Sequence, residues 1–387
     1  MFENIDQAKT MPIVGEALTQ AIMTIQSTVP RMGRNRPSIG RADGSYEHCH
    51  ATHWVDGFWS GQLWLAYAAT DNTFFLDAAR QQRPYFIDRL NRSTTLDHDT
   101  GFLYSLSVVA DYIMTGDQTA RDLGLQAATV LAKRFNPAGQ FIRAWNDWDG
   151  ESEHFRQRKR GKIIIDCMEN LALLFWAARE TNNLRLSDIA TAHAMTTMHY
   201  IVRADGSTYH TYEFDPTTGT PQGGFTFQGY ADESCWSRGQ SWAIHGFAQT
   251  YQYTHEPLFL EVAQRTADYA ISHLPEDGVA YWDYNLPPDA PHYRDSSAAA
   301  IMAAGLLLLA DNLEEQIKVD HYRAVALHIL HSLTQKYTTA HLPYTEGLLL
   351  HGAAYVQEGQ TDSMLAWGDY FYMEALMRVH GHRQFFW

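Results

Sequence analysis

Two aspartates stand where a carboxyl group could do acid–base chemistry on a sugar. Asp99 lies in the segment LDHDTGFLY, shortly before Gly101, and Asp166 lies between an apolar approach, 162–165, and a helical pattern. A pair of carboxyl groups flanking a sugar is a recognised arrangement for glycoside chemistry. Each residue also has a structural alternative, since Asp166 could cap the helix that follows it and Asp99 could form an Asx-turn before Gly101. The chain has 44 acidic residues, so the pair alone is weak support for catalysis.

Two tryptophans and an arginine stand at the start of a predicted helix, in the segment QGYADESCWSRGQSWAIHGF. Arg238 and Trp242 are four residues apart and share a helix face, and Trp236 precedes them where free N–H groups favour an anion. A guanidinium often binds a carboxylate through two hydrogen bonds, and an indole offers a flat face to a sugar ring. The three side chains could therefore hold an acidic sugar. The alternative is a buried arginine paired with Asp232 or Glu233 in an aromatic core.

Histidines and a cysteine cluster in the segment HCHATH, which makes His48, Cys49, His50 and His53 the best candidates for metal ligands. Their spacing fits no common zinc signature, and no distant ligand set matches them. We therefore expect local polar contacts here, with no bound metal and no cofactor. The sequence has no GxxxxGKS/T loop, no GxGxxG turn after a strand and no GxSxG elbow. Nucleotide binding and serine-hydrolase chemistry thus have no motif support.

Composition and charge restrict the classes of partner. The net charge of −15 argues against nucleic acids and anionic membranes. No apolar run approaches the roughly 18 residues of a membrane-spanning helix, and the N-terminal stretch lacks the apolar core of a secretion signal. Three widely spaced cysteines, Cys49, Cys167 and Cys235, indicate free thiols in a reducing compartment, which predicts a cytoplasmic protein. Aromatic residues make up 13% of the chain, which suits either a sugar-binding cleft or a large core.

An acid and a glycine with aromatic residues close by recur along the chain, which indicates a repeat architecture. The glycines concerned are Gly57, Gly101, Gly150, Gly206, Gly278 and Gly347. Between these expected turns, apolar residues follow helical spacing. The clearest helical segments are 59–70, 166–181, 237–254, 258–274 and 296–310.

About six helical hairpins fit this length, and hairpins that must bury both faces can close into an (α/α)6 barrel; an open α-solenoid is the alternative. We predict a single all-α domain over residues 1–387, with 1–50 as an N-terminal extension packed on the barrel. The glycine turns would lie at one end of the barrel, and loops on a rigid scaffold are where a site is expected.

Four segments occur in a distinctive order between about Asp56 and the end of the sequence: HDTGFLY, DCMENLALLFWA, QGYADESCWSRGQSWAIHGF and WGDYFYMEALMR. Together they resemble the unsaturated glucuronyl hydrolases of glycoside hydrolase family 88. The string DESxWxRGQxW is specific, and the match to it here has no gaps. The resemblance implies an (α/α)6 barrel, in agreement with the repeats.

The resemblance also implies a reaction on a 4,5-unsaturated uronic acid, the non-reducing end that polysaccharide lyases leave on short oligosaccharides. Such an enzyme adds a proton at C4 and water at C5, and the hemiketal collapses and releases the neighbouring sugar. The resemblance assigns the general acid/base to Asp166 and the second catalytic acid to Asp99. It places these residues at the substrate: His98, His210, Gly224, Thr226, Gln228, Trp236, Arg238 and Trp242. It requires no metal.

The sequence leaves the neighbouring sugar open. Family members that favour sulfated glycosaminoglycan disaccharides use serine and lysine groups near the C-terminus, whereas the segment 356–370 has Ser363 but no lysine. Unsulfated chondroitin- or hyaluronan-type disaccharides and gellan or xanthan fragments are the candidates. Alternative functions are an unsaturated rhamnogalacturonyl hydrolase acting on pectin fragments, a sugar 2-epimerase on the same fold and a non-catalytic helical-repeat binding protein. We expect a monomer or a weak homo-oligomer.

Overall fold

Helices dominate the computed structural model, which describes residues 7–49, 52–147, 150 and 152–387. Within these residues the helices are α1 (Gln7–Met32), α2 (Asp56–Thr70), α3 (Thr73–Arg80), α4 (Arg83–Asn91), α5 (Thr100–Tyr104), α6 (Ala110–Thr115), α7 (Gln118–Ala132), α8 (Glu153–Arg160), α9 (Cys167–Thr181), α10 (Leu184–Tyr200), α11 (Ser237–Thr254), α12 (Pro257–His273), α13 (Ser296–Asp311), α14 (Gln316–Ser332) and α15 (Ala366–Val379). A π-helical turn, Ser105–Val109, joins α5 to α6 into one rod. None of these helices is both long and apolar enough to cross a bilayer.

Six helical rods of the described chain form a closed inner ring. In ring order they are α2, α5–α6, α9, α11, α13 and α15, and α15 packs back against α2. These rods are buried on nearly all sides; in α13 every residue from Ser296 to Ala310 is buried. Because a helix without a polar face must be enclosed, the rods form the core of the molecule.

Amphipathic helices surround the inner ring. In α12, for example, Phe259, Val262, Thr266 and Ala270 are buried at helical spacing. Among the described residues the outer helices are α1, α3, α7, α10, α12 and α14, and each packs on one or more inner rods. The closed ring with its outer layer confirms the predicted all-α, (α/α)6 barrel and excludes the open solenoid.

The N-terminal part of the described chain packs on the barrel. Helix α1 lies against α2, α14 and α15, and Ile39 forms an isolated β-bridge with Leu365. The assignment of 1–387 as one domain, with 1–50 as an extension, remains a prediction.

Gly57 and Gly101 let the first turns of the inner helices touch. A Cβ on Gly57 would lie 2.0 Å from the carbonyl oxygen of Phe102, and one on Gly101 would lie 2.4 Å from Cα of Asn170. The prediction that both glycines occupy turns is wrong, because they lie inside α2 and α5, where the close approach of two backbones requires glycine. Gly206 does occupy a turn, with φ of +92°.

Further contacts between first turns place the starts of the inner helices at one end of the barrel. A Cβ on Gly239, in α11, would lie 3.2 Å from Cγ2 of Ile165, next to the start of α9. A Cβ on Gly368, in α15, would lie 2.9 Å from Cβ of Ser297, in α13. Residues that immediately precede these helices therefore gather around one mouth of the barrel. Because helix N-termini carry partial positive charge, this mouth favours an anionic ligand.

A small sheet borders this mouth. The described strands are β1 (Pro37–Gly40), β2 (Tyr46–His48), β3 (Phe135–Asn136), β4 (Phe141–Ile142), β5 (Lys162–Ile164), β6 (Thr211–Phe214) and β7 (Pro221–Phe225). The last three form an antiparallel sheet in the order β5–β6–β7. Strand β5 leads to Asp166, β6 follows His210 and β7 contains Gly224, so the sheet fixes three predicted site residues relative to one another.

Gly101→Ala should destabilise the fold by about 1–3 kcal/mol, because the added methyl group would overlap the Asn170 backbone. Urea unfolding measures the loss. Gly15→Ala, within α1, is the matched control, because its methyl group would meet only His380 side-chain atoms, at 3.4 and 3.8 Å. We expect the control to gain up to about 1 kcal/mol from helix propensity. Equal stability of the two variants would contradict the packing explanation.

Candidate active site

Asp99 and Asp166 lie at the starts of neighbouring inner helices. Asp99 immediately precedes α5 and Asp166 immediately precedes α9. Asn170 links the two helices, because its Oδ1 accepts the Phe102 N–H at 2.7 Å and its Nδ2 donates to the Asp166 carbonyl oxygen at 3.2 Å. Asp99 is 8% and Asp166 is 9% exposed, and the charge on Asp166 raises the pKa of Asp99. The neighbouring helix starts therefore place the two carboxyl groups close enough to interact electrostatically.

Neither carboxyl group has the structural role that its sequence position allows. Asp166 occupies the N-cap position of α9, but its side chain makes no capping hydrogen bond. Its buried Oδ1 has no partner within the described chain. The Asx-turn in the other segment is made by Asp97, whose Oδ1 accepts the Asp99 N–H at 3.1 Å. Both carboxyl groups are thus available for chemistry.

Burial changes the acid strength of both carboxyl groups. It raises the pKa of Asp166 to about 7, although the Arg238 charge acts in the opposite direction. It raises the pKa of Asp99 well above its usual range, and the charges of Asp97 and Asp166 add to this effect. Because the charges of these carboxyl groups interact, their titrations are coupled. The apparent pKa values therefore belong to the group of acids and not to a single residue. A carboxylic acid that keeps its proton near neutral pH is suited to general acid catalysis.

Two buried histidines of the site are neutral, because burial lowers the pKa of His98 and of His210 to about 3. His98 Nδ1 lies 3.4 Å from Asp99 Oδ1. His210 Nδ1 accepts the N–H groups of Phe227 and Gln228 at 3.1 and 3.2 Å, which leaves the proton on Nε2. That Nε2 has no partner among the described residues. His210 can therefore donate a hydrogen bond to a substrate oxygen.

Two acids hold the segment between β7 and α11, which carries several of the predicted binding residues. Asp232 accepts the Thr226 N–H at 2.8 Å. Asp283, which is 1% exposed, accepts the Tyr230 N–H at 2.9 Å and the Ser234 hydroxyl at 2.6 Å. One acid from within the loop and one from a distant part of the chain thus fix a segment without regular structure.

Gly224 and Trp236 flank this loop. A Cβ on Gly224 would lie 2.4 Å from the Tyr209 ring carbon Cδ1, so packing against that ring requires glycine. Trp236 is 4% exposed and packs on His210, with ring centroids 4.4 Å apart. The tryptophan and the histidine together form one wall next to the Asp166 segment, because Ile165 N–H donates to the His210 carbonyl oxygen at 3.0 Å.

Arg238 is buried and bonded to the protein. It is 1% exposed, and its Nη1 donates to Asp295 Oδ2 at 2.5 Å. Its remaining bonds go to the Ala353 and Ala354 carbonyl oxygens at 2.7 and 2.6 Å and to Gln228 Oε1 at 2.8 Å. The alternative interpretation, a buried arginine paired with an acid, is confirmed as to burial and pairing. The predicted partners Asp232 and Glu233 are wrong, because Arg238 pairs with Asp295. Four guanidinium N–H groups are occupied, so Arg238 fixes the surrounding wall.

Trp242 lies in the interior of the barrel. It is 0% exposed and packs against Phe102 and Phe371, with ring centroids 5.4 and 5.3 Å away. Its Nε1 is buried without a partner in the described part of the chain. The structure therefore separates Trp242, within the core, from Trp236 at the wall, and its contact with a substrate remains a prediction.

Three residues of this region were missed from the sequence. Asp295 caps α13, accepting from Ser297 N, and neutralises Arg238; an aspartate before two serines is a readable cap signal. Asp97 adds charge beside Asp99. The Trp145 ring lies 6.3 Å from that of His98, and no sequence pattern distinguished it from a core tryptophan.

The predicted metal-ligand candidates make local contacts. The Cys49 thiol lies 3.5 Å from the Pro37 carbonyl oxygen, and His53 Nδ1 accepts the Val55 N–H at 3.4 Å. His50 lies outside the described residues. Elsewhere in the chain, as far as the structure describes it, no three His, Cys, Asp or Glu side chains are grouped to hold a metal ion.

A closed double layer of helices, with two weakly acidic carboxyl groups, neutral imidazoles and tryptophan at one mouth, defines an (α/α)6-barrel enzyme of the carbohydrate-active class. The sequence matches the description Glycosyl Hydrolase Family 88 over residues 28–384. The chain belongs to this family and is a glycoside hydrolase, which confirms the resemblance seen in the motifs.

Relatives agree in sequence and in structure. The unsaturated glucuronyl hydrolase of Bacillus sp. (strain GL1) is 39% identical over 94% of this chain and 96% of its own. The unsaturated chondroitin disaccharide hydrolase of Streptococcus pneumoniae is 36% identical over 97% of this chain and 93% of its own. A crystal structure of the Bacillus sp. GL1 enzyme superposes with a TM-score of 0.89 at 38% identity, covering 94% of this chain and 96% of that one.

Proposed function

We propose that this protein releases 4,5-unsaturated glucuronic acid from the non-reducing end of lyase-generated disaccharides or short oligosaccharides, by hydrating the C4=C5 bond. The observation that carries this proposal is the buried, unpartnered Asp166 carboxyl group, whose pKa of about 7 suits proton donation. The relatives named unsaturated glucuronyl hydrolase and unsaturated chondroitin disaccharide hydrolase support it. They favour it over the pectin-fragment and epimerase alternatives.

Asp166 performs both proton transfers in this proposal. Its acid form donates a proton to C4, the π electrons of C4=C5 form the new C–H bond, and positive charge develops at C5 and the ring oxygen. A water molecule adds to C5 while the Asp166 carboxylate accepts its proton, so the residue returns to the acid form. The hemiketal then collapses to a ketone, the ring opens, and the hemiacetal left at C1 releases the neighbouring sugar. One water molecule is consumed.

Asp99 supports the same step from the other side of the pocket. Because the pKa values of both carboxyl groups are raised, the pocket keeps at least one proton near neutral pH for Asp166 to donate. Asp99 then orients the attacking water, and the carboxylate that Asp166 becomes on donating its proton stabilises the positive charge at C5.

The wall residues bind the sugar. His210 donates from Nε2 to a substrate oxygen, and Gln228 and Thr226 follow it on the loop that its Nδ1 organises. Trp236 offers an indole edge beside the ring. Arg238 keeps its bond to Asp295 and acts on the sugar indirectly, by holding the Gln228 side chain in place. His98 and Gly224 border the pocket, and Trp242 supports it from the core.

We propose an unsulfated glycosaminoglycan-type disaccharide, such as that from chondroitin or hyaluronan, as the preferred substrate. Structures of two relatives are described with dGlcA-Glc-Rha-Glc and with dGlcA-GalNAc6S, so related pockets accept different neighbouring sugars. Here Ser363 pairs with Gly352 next to the Arg238-binding carbonyl groups. The segment 356–370 has no lysine, so it would offer a sulfate group no ammonium partner.

The substrate proposal is tested with purified protein and lyase-generated unsaturated disaccharides. Ultraviolet absorbance of the C4=C5 bond should disappear fastest with unsulfated chondroitin and hyaluronan disaccharides and more slowly with 6-sulfated chondroitin. A gellan tetrasaccharide and a pectin-derived unsaturated disaccharide complete the panel. Stable absorbance with every glucuronyl substrate would reject the reaction, and a preference for the 6-sulfated compound would reject only the substrate assignment.

We further propose a cytoplasmic protein that acts as a monomer or weak homo-oligomer without nucleic-acid or membrane partners. The three cysteines are free and buried, which suits a reducing compartment. The net charge of −15 disfavours polyanionic surfaces.

Activity should fall as pH rises through about 7, because the proton-donating form of Asp166 is then lost. The neutral histidines do not contribute to this decline, since burial lowers the pKa of His98 and His210 to about 3. Initial rates at low substrate concentration, from about pH 5 to about pH 9, report kcat/KM. A rate that rises through neutral pH would indicate a general base as the first catalyst and contradict the mechanism.

A further inference from the structure

The end of the barrel opposite the proposed active site carries a groove that the reaction does not use. Three adjoining cavities of about 260, 510 and 190 Å³ open where α9, α11, α13 and α15 end. Their lining includes four arginines, Arg179, Arg323, Arg378 and Arg383. We call this region the distal groove. Asp311 is the acidic residue among the described residues that line it.

Positive charge is in excess in the distal groove, although the whole chain has a net charge of −15. Asp311 accepts from Arg323 Nη2 at 2.8 Å and from Arg383 Nη1 at 3.0 Å. Glu374 Oε1 accepts from Arg378 Nε at 2.9 Å and forms an ion pair with Nη2 at 2.8 Å. The four guanidinium groups therefore have two side-chain carboxylates as partners: Asp311, which lines the groove, and Glu374, which is fully buried and does not line it.

Several donors of the groove have no acceptor in the described part of the chain. Arg179 uses Nη2 for the Tyr253 carbonyl oxygen, which leaves its Nε and Nη1. In the same way, Nη1 of Arg378 and both Nε and Nη2 of Arg383 have no acceptor among the described residues. Gln249 lines the groove at 1% exposure, and neither of its amide atoms has a partner. A buried amide without a partner is costly, so a ligand that bonds it would be favoured.

Two of the arginines are held in fixed planes. The Arg179 guanidinium lies 4.3 Å from the Tyr253 ring centroid, and that of Arg378 lies 4.1 Å from the Phe385 ring centroid. Stacking of this kind leaves the N–H edges of the guanidinium free to point away from the ring. Little side-chain entropy is then lost when a ligand binds.

We propose that the distal groove binds a tetrahedral oxyanion, phosphate or sulfate, either free or as the ester of a sugar. Guanidinium groups bind such oxygens in pairs. Arg179 and Arg378 lie in the last turns of α9 and α15, where they also offset the negative end of each helix. Offsetting the helix dipole requires no ligand. It does not account for the position of Arg383, which lies beyond the end of α15, or for the buried Gln249 amide without a partner.

Calorimetric titration of the purified protein with inorganic phosphate, at constant ionic strength, tests the proposal. Wild type should show saturable binding, and Arg383→Gln should weaken it about tenfold or more through the loss of a charge-assisted bond. Arg92→Gln is the matched control, because Arg92 is similarly exposed, 48% against 59%, and is likewise paired with one aspartate. Hydration activity should be unchanged in both variants, because neither residue belongs to the proposed active site.

Three results would overturn the site: no saturation with phosphate, equal heats with chloride, or equal weakening by Arg92→Gln and Arg383→Gln. Sulfate and glucose 6-phosphate are titrated in the same way to identify the form of the ligand. Tighter binding of glucose 6-phosphate than of phosphate would assign the site to a sugar ester, and equal binding would assign it to the free oxyanion. Because the titration uses no unsaturated sugar, its outcome is independent of the proposed hydration reaction.

Discussion

Asp166→Asn should lower kcat for hydration by roughly 10²–10⁴-fold. The amide keeps the size of the side chain but has no acidic proton to transfer to C4. Because the Asp166 side chain makes no capping bond and its Oδ1 has no partner within the described chain, the change should leave the fold intact. Initial rates of absorbance loss at saturating substrate, with circular dichroism of the same sample, measure the effect.

Asp122→Asn is the control for that substitution. The Asp122 side chain is 68% exposed on an outer helix and lies 3.9 Å from its arginine neighbour, so its loss should not change activity. An Asp166→Asn enzyme with more than roughly a tenth of wild-type activity would show that another group protonates C4. Asp99→Asn, tested beside it, would then identify the alternative donor.

The same variant should be more stable than wild type at alkaline pH. Burial raises the pKa of Asp166 to about 7 from the ordinary 3.8, so between these values the unfolded chain is ionised while the folded one keeps its proton. The contribution of Asp166 to the free energy of unfolding is therefore largest below pH 3.8 and is lost as the pH rises through about 7. The loss amounts to about 4 kcal/mol. Asparagine does not titrate. Urea unfolding at about pH 8 and about pH 4 should therefore show a gain only at the higher pH.

Asp295→Ala should cost about 3–5 kcal/mol of unfolding free energy, because it leaves the Arg238 guanidinium buried and unpaired. It should also raise KM, since Arg238 positions Gln228 and the carbonyl groups of Ala353 and Ala354 around the proposed sugar site. Urea unfolding gives the stability change, and substrate titration gives KM.

Asn72→Ala separates the lost ion pair from the lost helix cap. Asn72 caps α3 by accepting the Phe74 N–H at 3.0 Å, much as Asp295 caps α13, but it neutralises no buried cation. The control should lose only about 1 kcal/mol and leave KM unchanged. Similar losses in the two variants would mean that capping, and not charge pairing, is the main role of Asp295.

Local patterns of residue type determine where several helices of this protein lie. The predicted segment 237–254 coincides with α11, and 258–274 differs from α12 by one residue at each end. Apolar spacing and end residues act within a few turns of chain, so they predict a helix independently of the fold around it. The sequence likewise indicated Asp166 as an unusual acid, because an apolar stretch precedes it and a core helix follows it.

Only the tertiary structure decided which groups meet. The Arg238 partners, Asp295, Ala353 and Ala354, lie 57 to 116 positions along the chain, and closure of the inner ring brings them together. The same closure buries Asp99 beside Asp166 and raises both pKa values. It also placed Gly57 inside a helix where the sequence predicted a turn. Burial and pairing depend on residues that are distant in sequence, and local propensity contains no information about their separation in space.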